Sequence, residues 1–91
     1  MISLKRWNVE IFIDEQEDLG KTHAEARLHT DDATHLVGRG SARLNPSDRG
    51  VPEIGAELAA ARALSQLAHE LLHAAALDIE QFTHERAHPH L

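Results

Sequence analysis

Apolar and polar residues alternate along the first half of the chain and recur every three or four positions along the second half. Trp7, Val9, Ile11 and Ile13 alternate with Asn8, Glu10 and Phe12, the period of a strand with one apolar face. Asp14 to Gly20 is rich in acids and reads as a solvated loop. A second alternation puts Thr22, Ala24, Ala26 and Leu28 on one side and His23, Glu25, Arg27 and His29 on the other. Thr30-Asp31-Asp32-Ala33 reads as a turn, since Asp tolerates turn backbone and bonds local donors. The third strand is predicted from Thr34 to Leu44, with Leu36, Gly38, Gly40, Ala42 and Leu44 on one face and His35, Val37, Arg39, Ser41 and Arg43 on the other.

Asn45-Pro46-Ser47-Asp48-Arg49-Gly50 ends that strand, and Val51-Pro52 leads into a helix. Pro52 suits a first turn, where its missing N–H costs nothing, and Glu53 complements the helix dipole. Ile54, Leu58, Ala61, Leu64, Ala68, Leu71, Leu72 and Ala75 predict one buried stripe, widened by Leu67. Arg62, Gln66, His69 and His73 fall on a wetter face. Asp78 with Gln81 three residues on resembles a capping box, so the helix is expected to break near Leu77 and a short second one to begin at Ile79. The tail from His84 to Leu91 is polar and expected to be loose.

Pairing His29 with His35 across the turn sets a register. Leu28 then meets Leu36, Ala26 meets Gly38, Ala24 meets Gly40, and Glu25 faces Arg39 on the opposite side. Two glycines opposite two alanines predict a shallow trough where a helix lies close to the sheet. A helix from Glu53 to Ala76 outruns strands of about eight residues by roughly two turns. Leu71, Leu72, Leu77, Ile79 and Phe82 lie in that overhang; either the short second helix folds back over them or a second subunit covers them, and the second subunit is the favoured cover. The fold expected is therefore a single α+β domain over residues 1–91, with its core in about 6–83. It is a three-stranded antiparallel meander under a long C-terminal helix plus a short second one.

Composition narrows the functions. A chain of 91 residues holds one small core, and such domains commonly add a disulfide, a metal or a partner. The absence of cysteine removes the first and any thiolate site. A net charge of −6 argues against generic nucleic-acid binding, which depends on neutralising phosphates. No apolar run is long enough for a membrane span and none resembles a leader, so a cytoplasmic location with no membrane partner is expected.

His69-Glu70-Leu71-Leu72-His73 matches the spacing by which two histidines on one helix face bind zinc and a glutamate activates water. Eight histidines in the chain make a coincidence easy, and a third ligand has to come from Glu80, His84, Glu85 or His88, beyond the expected break. Ala76 stands where the longer metalloprotease pattern needs glycine. Two solvated surface histidines are the simpler reading; no catalytic residue, metal or cofactor is expected, and a zinc hydrolase is the remote alternative. His23, His29 and His35 share the open sheet face. A titrating or metal-binding cluster and an ordinary polar face are both readings of them. Arg27, Arg39 and Arg43 project from the same face and, with Arg49, are the candidate phosphate-binding patch, with Glu10 and Glu25 beside them. Phe12 is a candidate anchor there.

Gly38-Arg39-Gly40-Ser41-Ala42-Arg43-Leu44, then Pro46 and Asp48, Ile54-Gly55, the run Glu57 to Ser65, and Asp78-Ile79-Glu80 resemble a small actinobacterial family of unknown function. Its fold is like the double-stranded-RNA-binding domain. The resemblance runs from about Trp7 to Phe82 and implies a three-stranded sheet with C-terminal helices, intertwined dimers, and a likeness to ribosome hibernation factors. It brings no catalytic residues. The expectation is a non-catalytic, homodimeric, stress-associated module directed at the ribosome or RNA, with a dimeric protein-binding adaptor as the alternative.

Overall fold

A computed structural model describes residues 2–31, 35–43 and 52–83. Its elements are β1 (Asn8–Gln16), a 3₁₀ turn (Glu17–Leu19), β2 (Lys21–His29), β3 (His35–Arg43) and α1 (Pro52–Thr83). The strands form one antiparallel sheet in the order β1-β2-β3. The expected register holds: His29 pairs with His35, Leu28 with Leu36, Ala26 with Gly38, Ala24 with Gly40 and Glu25 with Arg39. Val9, Ile11 and Ile13 pair with Leu28, Ala26 and Ala24, so they share the face that looks toward α1.

The acidic stretch after Ile13 is not the loop expected. Asp14, Glu15 and Gln16 continue β1 against His23, Thr22 and Lys21, and the reversal is confined to Glu17–Gly20. Ladder hydrogen bonds to β2 outweigh the poor strand propensity of the acids. Gly20 closes the turn at φ 61°, a left-handed conformation that costs glycine little.

The helix lies directly on the glycine trough. A Cβ built on Gly38 would stand 2.2 Å from the carbonyl oxygen of Ala63 and 2.4 Å from the amide nitrogen of Leu67. One built on Gly40 would stand 2.4 Å from the amide nitrogen of Ala63 and 2.6 Å from the carbonyl oxygen of Ala59. Gly40 thus sits beneath Ala59 and Ala63, and Gly38 beneath Ala63 and Leu67. The helix therefore runs antiparallel to β3, and its last turns pass the end of the sheet where His29 meets His35.

So close an approach corrects the expected stripe. The buried helical residues are Gly55, Ala59, Ala63 and Leu67, one every four positions, while Ile54, Leu58, Ala61 and Leu64 are exposed. Gly55, Ala59 and Ala63 are small enough for backbones this near, with Leu67 following, so the mainly small face turns inward and the bulkier one outward. Ala68, Leu71 and Leu72 are half-buried, and Leu71 packs against the core. That core is Ala24, Ala26, Leu28, Ala42, Ala59, Ala63 and Leu67.

The expected break near Leu77 is absent, and α1 is continuous from Pro52 to Thr83. Nine alanines and six leucines favour the helix, and nothing after Gly55 interrupts it. Asp78 in a helix interior costs under about 0.7 kcal/mol, too little to stop it. Thr83 donates its hydroxyl to the Ile79 carbonyl at 2.9 Å in the last turn. Asp32 and Ala33 of the expected turn, Thr34 and Leu44 of the expected third strand, residues 45–51 and the expected tail from His84 lie outside the described residues.

Gly38→Ala and Gly40→Ala should each destabilise the fold by about 2–3 kcal/mol, because the added methyl meets immovable backbone. The urea midpoint measures this; a midpoint unchanged in both variants contradicts the packing described.

Candidate functional site

The sheet face away from α1 carries most of the side chains with chemistry. Alternation along three registered strands sets them in cross-strand rows: Glu10, Arg27 and Val37; Phe12, Glu25 and Arg39; Asp14, His23 and Ser41; Gln16, Lys21 and Arg43.

Glu25 is the hub of this face. Arg27 Nε donates to its Oε2 at 2.5 Å, and Arg39 Nε donates to its Oε1 at 3.1 Å. The hydrogen bond from Arg27 holds the Glu25 carboxyl below the usual glutamate range. Partial burial opposes that shift, and the charges of Arg27 and Arg39 reinforce it. Arg27 also lies over the Phe12 ring, its guanidinium carbon 4.4 Å from the centroid. Phe12, expected as a free anchor, is thus capped by a cation.

Of the four arginines of the candidate phosphate patch, Arg27 and Arg39 are bound to one carboxylate. Arg43 is exposed at the end of β3, and Arg49 lies outside the described residues. The cations that gather near Arg43 are Lys21 and Arg62, which with His23, Ser41 and Ala42 line an open cleft of about 410 Å³. Sequence reasoning passed over both. Lys21 follows from the register, continued from His29–His35 to the far end of β2. Arg62 has no such signal, since a helical arginine reaching round a sheet edge appears only in three dimensions.

Arg62 and Gln66, one helical turn apart, serve that edge. Arg62 Nη1 donates to the Ser41 carbonyl at 2.7 Å, and the Arg39 amide donates to Gln66 Oε1. The outer edge of β3 is thereby partly satisfied by side chains from α1.

The histidines do not assemble into one site. His29 and His35 meet edge to face with ring centroids 6.1 Å apart. His29 Nε2 is closed off from solvent and lies 2.8 Å from Glu10 Oε1, close enough for an ion pair when the ring is protonated but not aligned as a hydrogen bond. His23 is six residues along β2, about 20 Å from His29. On α1, His69 and His73 are exposed. Helix continuity puts Glu80 about 16 Å along the axis from His69, too far to join it on one ion. Among the described residues no three histidines or carboxylates are grouped to hold a metal. Among the same residues no helix is long and apolar enough to cross a membrane.

Because its folded-state pKa is depressed, Glu25 contributes stability that is present above the unfolded glutamate pKa. That contribution is lost as pH falls through the lower folded value. A carbon-detected NMR titration should place the Glu25 midpoint below that of an ordinary glutamate, and Arg27→Met should raise it. An unchanged midpoint in the variant contradicts the leading role of Arg27.

Residues 5–88 match the model of the Rv2632c-like family. An uncharacterized protein of Mycobacterium bovis, Mb1767, is 54% identical over 84 residues, which span 92% of this chain and 86% of that protein. The uncharacterized protein MT1780 of Mycobacterium tuberculosis, strain CDC 1551, matches to the same extent. Rv2632c of Mycobacterium tuberculosis, strain H37Rv, is 43% identical over 81 residues, or 89% of this chain and 84% of its own length. On this match across nearly the whole chain, the protein belongs to the Rv2632c-like family.

Proposed function

We propose that the protein acts as a non-catalytic homodimer, a binding module completed by a second copy of itself. The observation that carries the proposal is an inverted core: the described core is built mainly of alanines, and most of the large aliphatic residues are partly or fully exposed. Five of the seven core residues are alanine. Val9, Ile11 and Ile13, on the sheet face that looks toward α1, remain 44%, 39% and 45% exposed. Burying such a side chain from full exposure is worth roughly 1.5–3 kcal/mol, so covering the exposed part of each adds about 1 kcal/mol.

Helix orientation explains the uncovered strip. Arg62 and Gln66 reach the free edge of β3. Residues two positions away project about 200° round the helix, so Ala60, Leu64 and Ala68 turn to the flank above β1. Leu64 is 42% exposed there. An apolar notch results, with β1 as its floor and the flank of α1 as its wall.

A second copy is the occupant that suits the notch, because a two-fold pairing buries the same apolar strip on both chains at once. Leu77, Ile79 and Phe82, exposed on the helix beyond the sheet, extend the surface available to it. A role at the ribosome under stress, or as a protein-binding adaptor, belongs to that dimer rather than to one chain.

Sedimentation equilibrium at micromolar concentration should return twice the 10.1 kDa chain mass. Ile11→Glu, which puts a carboxylate in the notch, should weaken association by at least about tenfold while leaving the helical circular dichroism intact. A clean monomer at that concentration ends the proposal. So does a dimer indifferent both to Ile11→Glu and to Leu64→Gln.

A further inference from the structure

We infer that the cleft formed by Lys21, Arg43 and Arg62 at the edge of β3 is a binding site for a phosphate group. Lys21 and Arg43 are direct cross-strand partners. Like charges in that arrangement repel and weaken the sheet. Arg62 adds a third positive charge, brought round the β3 edge from α1 and anchored by its bond to the Ser41 carbonyl at 2.7 Å. That bond leaves most of its guanidinium donors unspent. His23 and Ser41 complete the polar lining.

No carboxylate lines the cleft. Among the described residues the ion pairs are those of Glu25 with Arg27 and Arg39, and of Glu10 with His29. Lys21 and Arg43 therefore have no acidic partner among those residues. On the open sheet face the acid nearest in register is Asp14, opposite His23 on β1, with β2 between it and Arg43; Glu15, opposite Thr22, alternates to the other face. In a chain of net charge −6, three cations line one cleft with no counter-ion among the described residues, while Arg27 and Arg39 farther along the same face share the Glu25 carboxylate. This arrangement costs stability in the free chain and is relieved by an anion. A phosphate suits it better than a carboxylate, because it carries more charge and presents several oxygens to a guanidinium fork and an ammonium at once. The cleft opens at a sheet edge, so the phosphate can belong to a larger molecule: a phosphodiester of single-stranded RNA or a free phosphomonoester. The site is complete within one chain and does not depend on the dimer.

Inorganic phosphate, titrated into ¹⁵N-labelled protein at constant ionic strength with chloride as reference, tests the site. Saturable shifts are expected at the amides of Lys21, His23, Ser41 and Arg43 and at Arg62 Nε. Lys21→Gln with Arg43→Gln should weaken phosphate binding by about tenfold or more. Arg39→Gln, which changes a cation already paired to Glu25, should alter it by less than about twofold. A uridine oligonucleotide identifies the source. If it shifts the same amides at concentrations far below phosphate, and the double variant abolishes this, the phosphate is that of RNA. If it binds no tighter than phosphate, the ligand is a phosphomonoester. Shifts that grow without saturating, that chloride reproduces, or that persist in the double variant mean an adventitious ion only and overturn the assignment.

Discussion

The structure depends on the contact between two backbones, where α1 presses onto β3 at Gly38 and Gly40. With no room for even one Cβ at either position, the facing helix surface must be small as well. Gly55, Ala59 and Ala63 supply it at a spacing of four, and Leu67 follows where the helix passes Gly38. The benefit is a long, tightly apposed helix–sheet contact. Its cost is that alanines fill the interior and contribute little apolar burial. The larger side chains are displaced to β1 and to the outer flank of α1, where they stay partly exposed. Small residues at the contact and large residues outside it are two consequences of the same close approach.

The two edges of the sheet are treated differently. Arg62 and Gln66 bond the outer edge of β3, which makes it a poor template for another strand. Among the described residues no helix side chain bonds the edge of β1, and Val9, Ile11 and Ile13 on its inner face stay partly exposed. Both asymmetries leave β1 the more open strand among the described residues. On the opposite sheet face, Glu25 ties up two arginines and leaves a surface of mixed charge along most of its length. Only the corner near Lys21 and Arg43 escapes this neutralisation. The described residues thus separate an apolar side, the one proposed to meet another copy of the chain, from a small cationic corner, the one proposed to hold a phosphate.

Much of this was legible in residue order. The strand register followed from the short turn and from matching Leu28 with Leu36 and the two alanines with the two glycines. The trough was legible because paired Ala and Gly leave a gap in any sheet. The arginine face followed from alternation, but not its neutralisation, since Glu25 reaches two partners on different strands. The acidic end of β1 was misread because its residues are poor strand formers taken one at a time, and pairing with β2 decides their conformation. Asp78 was misread for a related reason: its capping pattern is real, but a cap competes with continued helix, and the alanine-rich chain on either side prevails.

The alternation and the helical period, by themselves, determined that this chain makes a three-stranded meander and a long helix, because those periods are local properties of the backbone. Which helical face turns inward was decided only by tertiary contact. Hydrophobicity ranks leucine and isoleucine above alanine, whereas the distance set by Gly38 and Gly40 ranks side chains by size and reverses the order. The meeting of Arg62 with Lys21 and Arg43 was likewise decided in space, since it needs the helix laid antiparallel to β3 at that depth before an arginine can reach round the sheet edge.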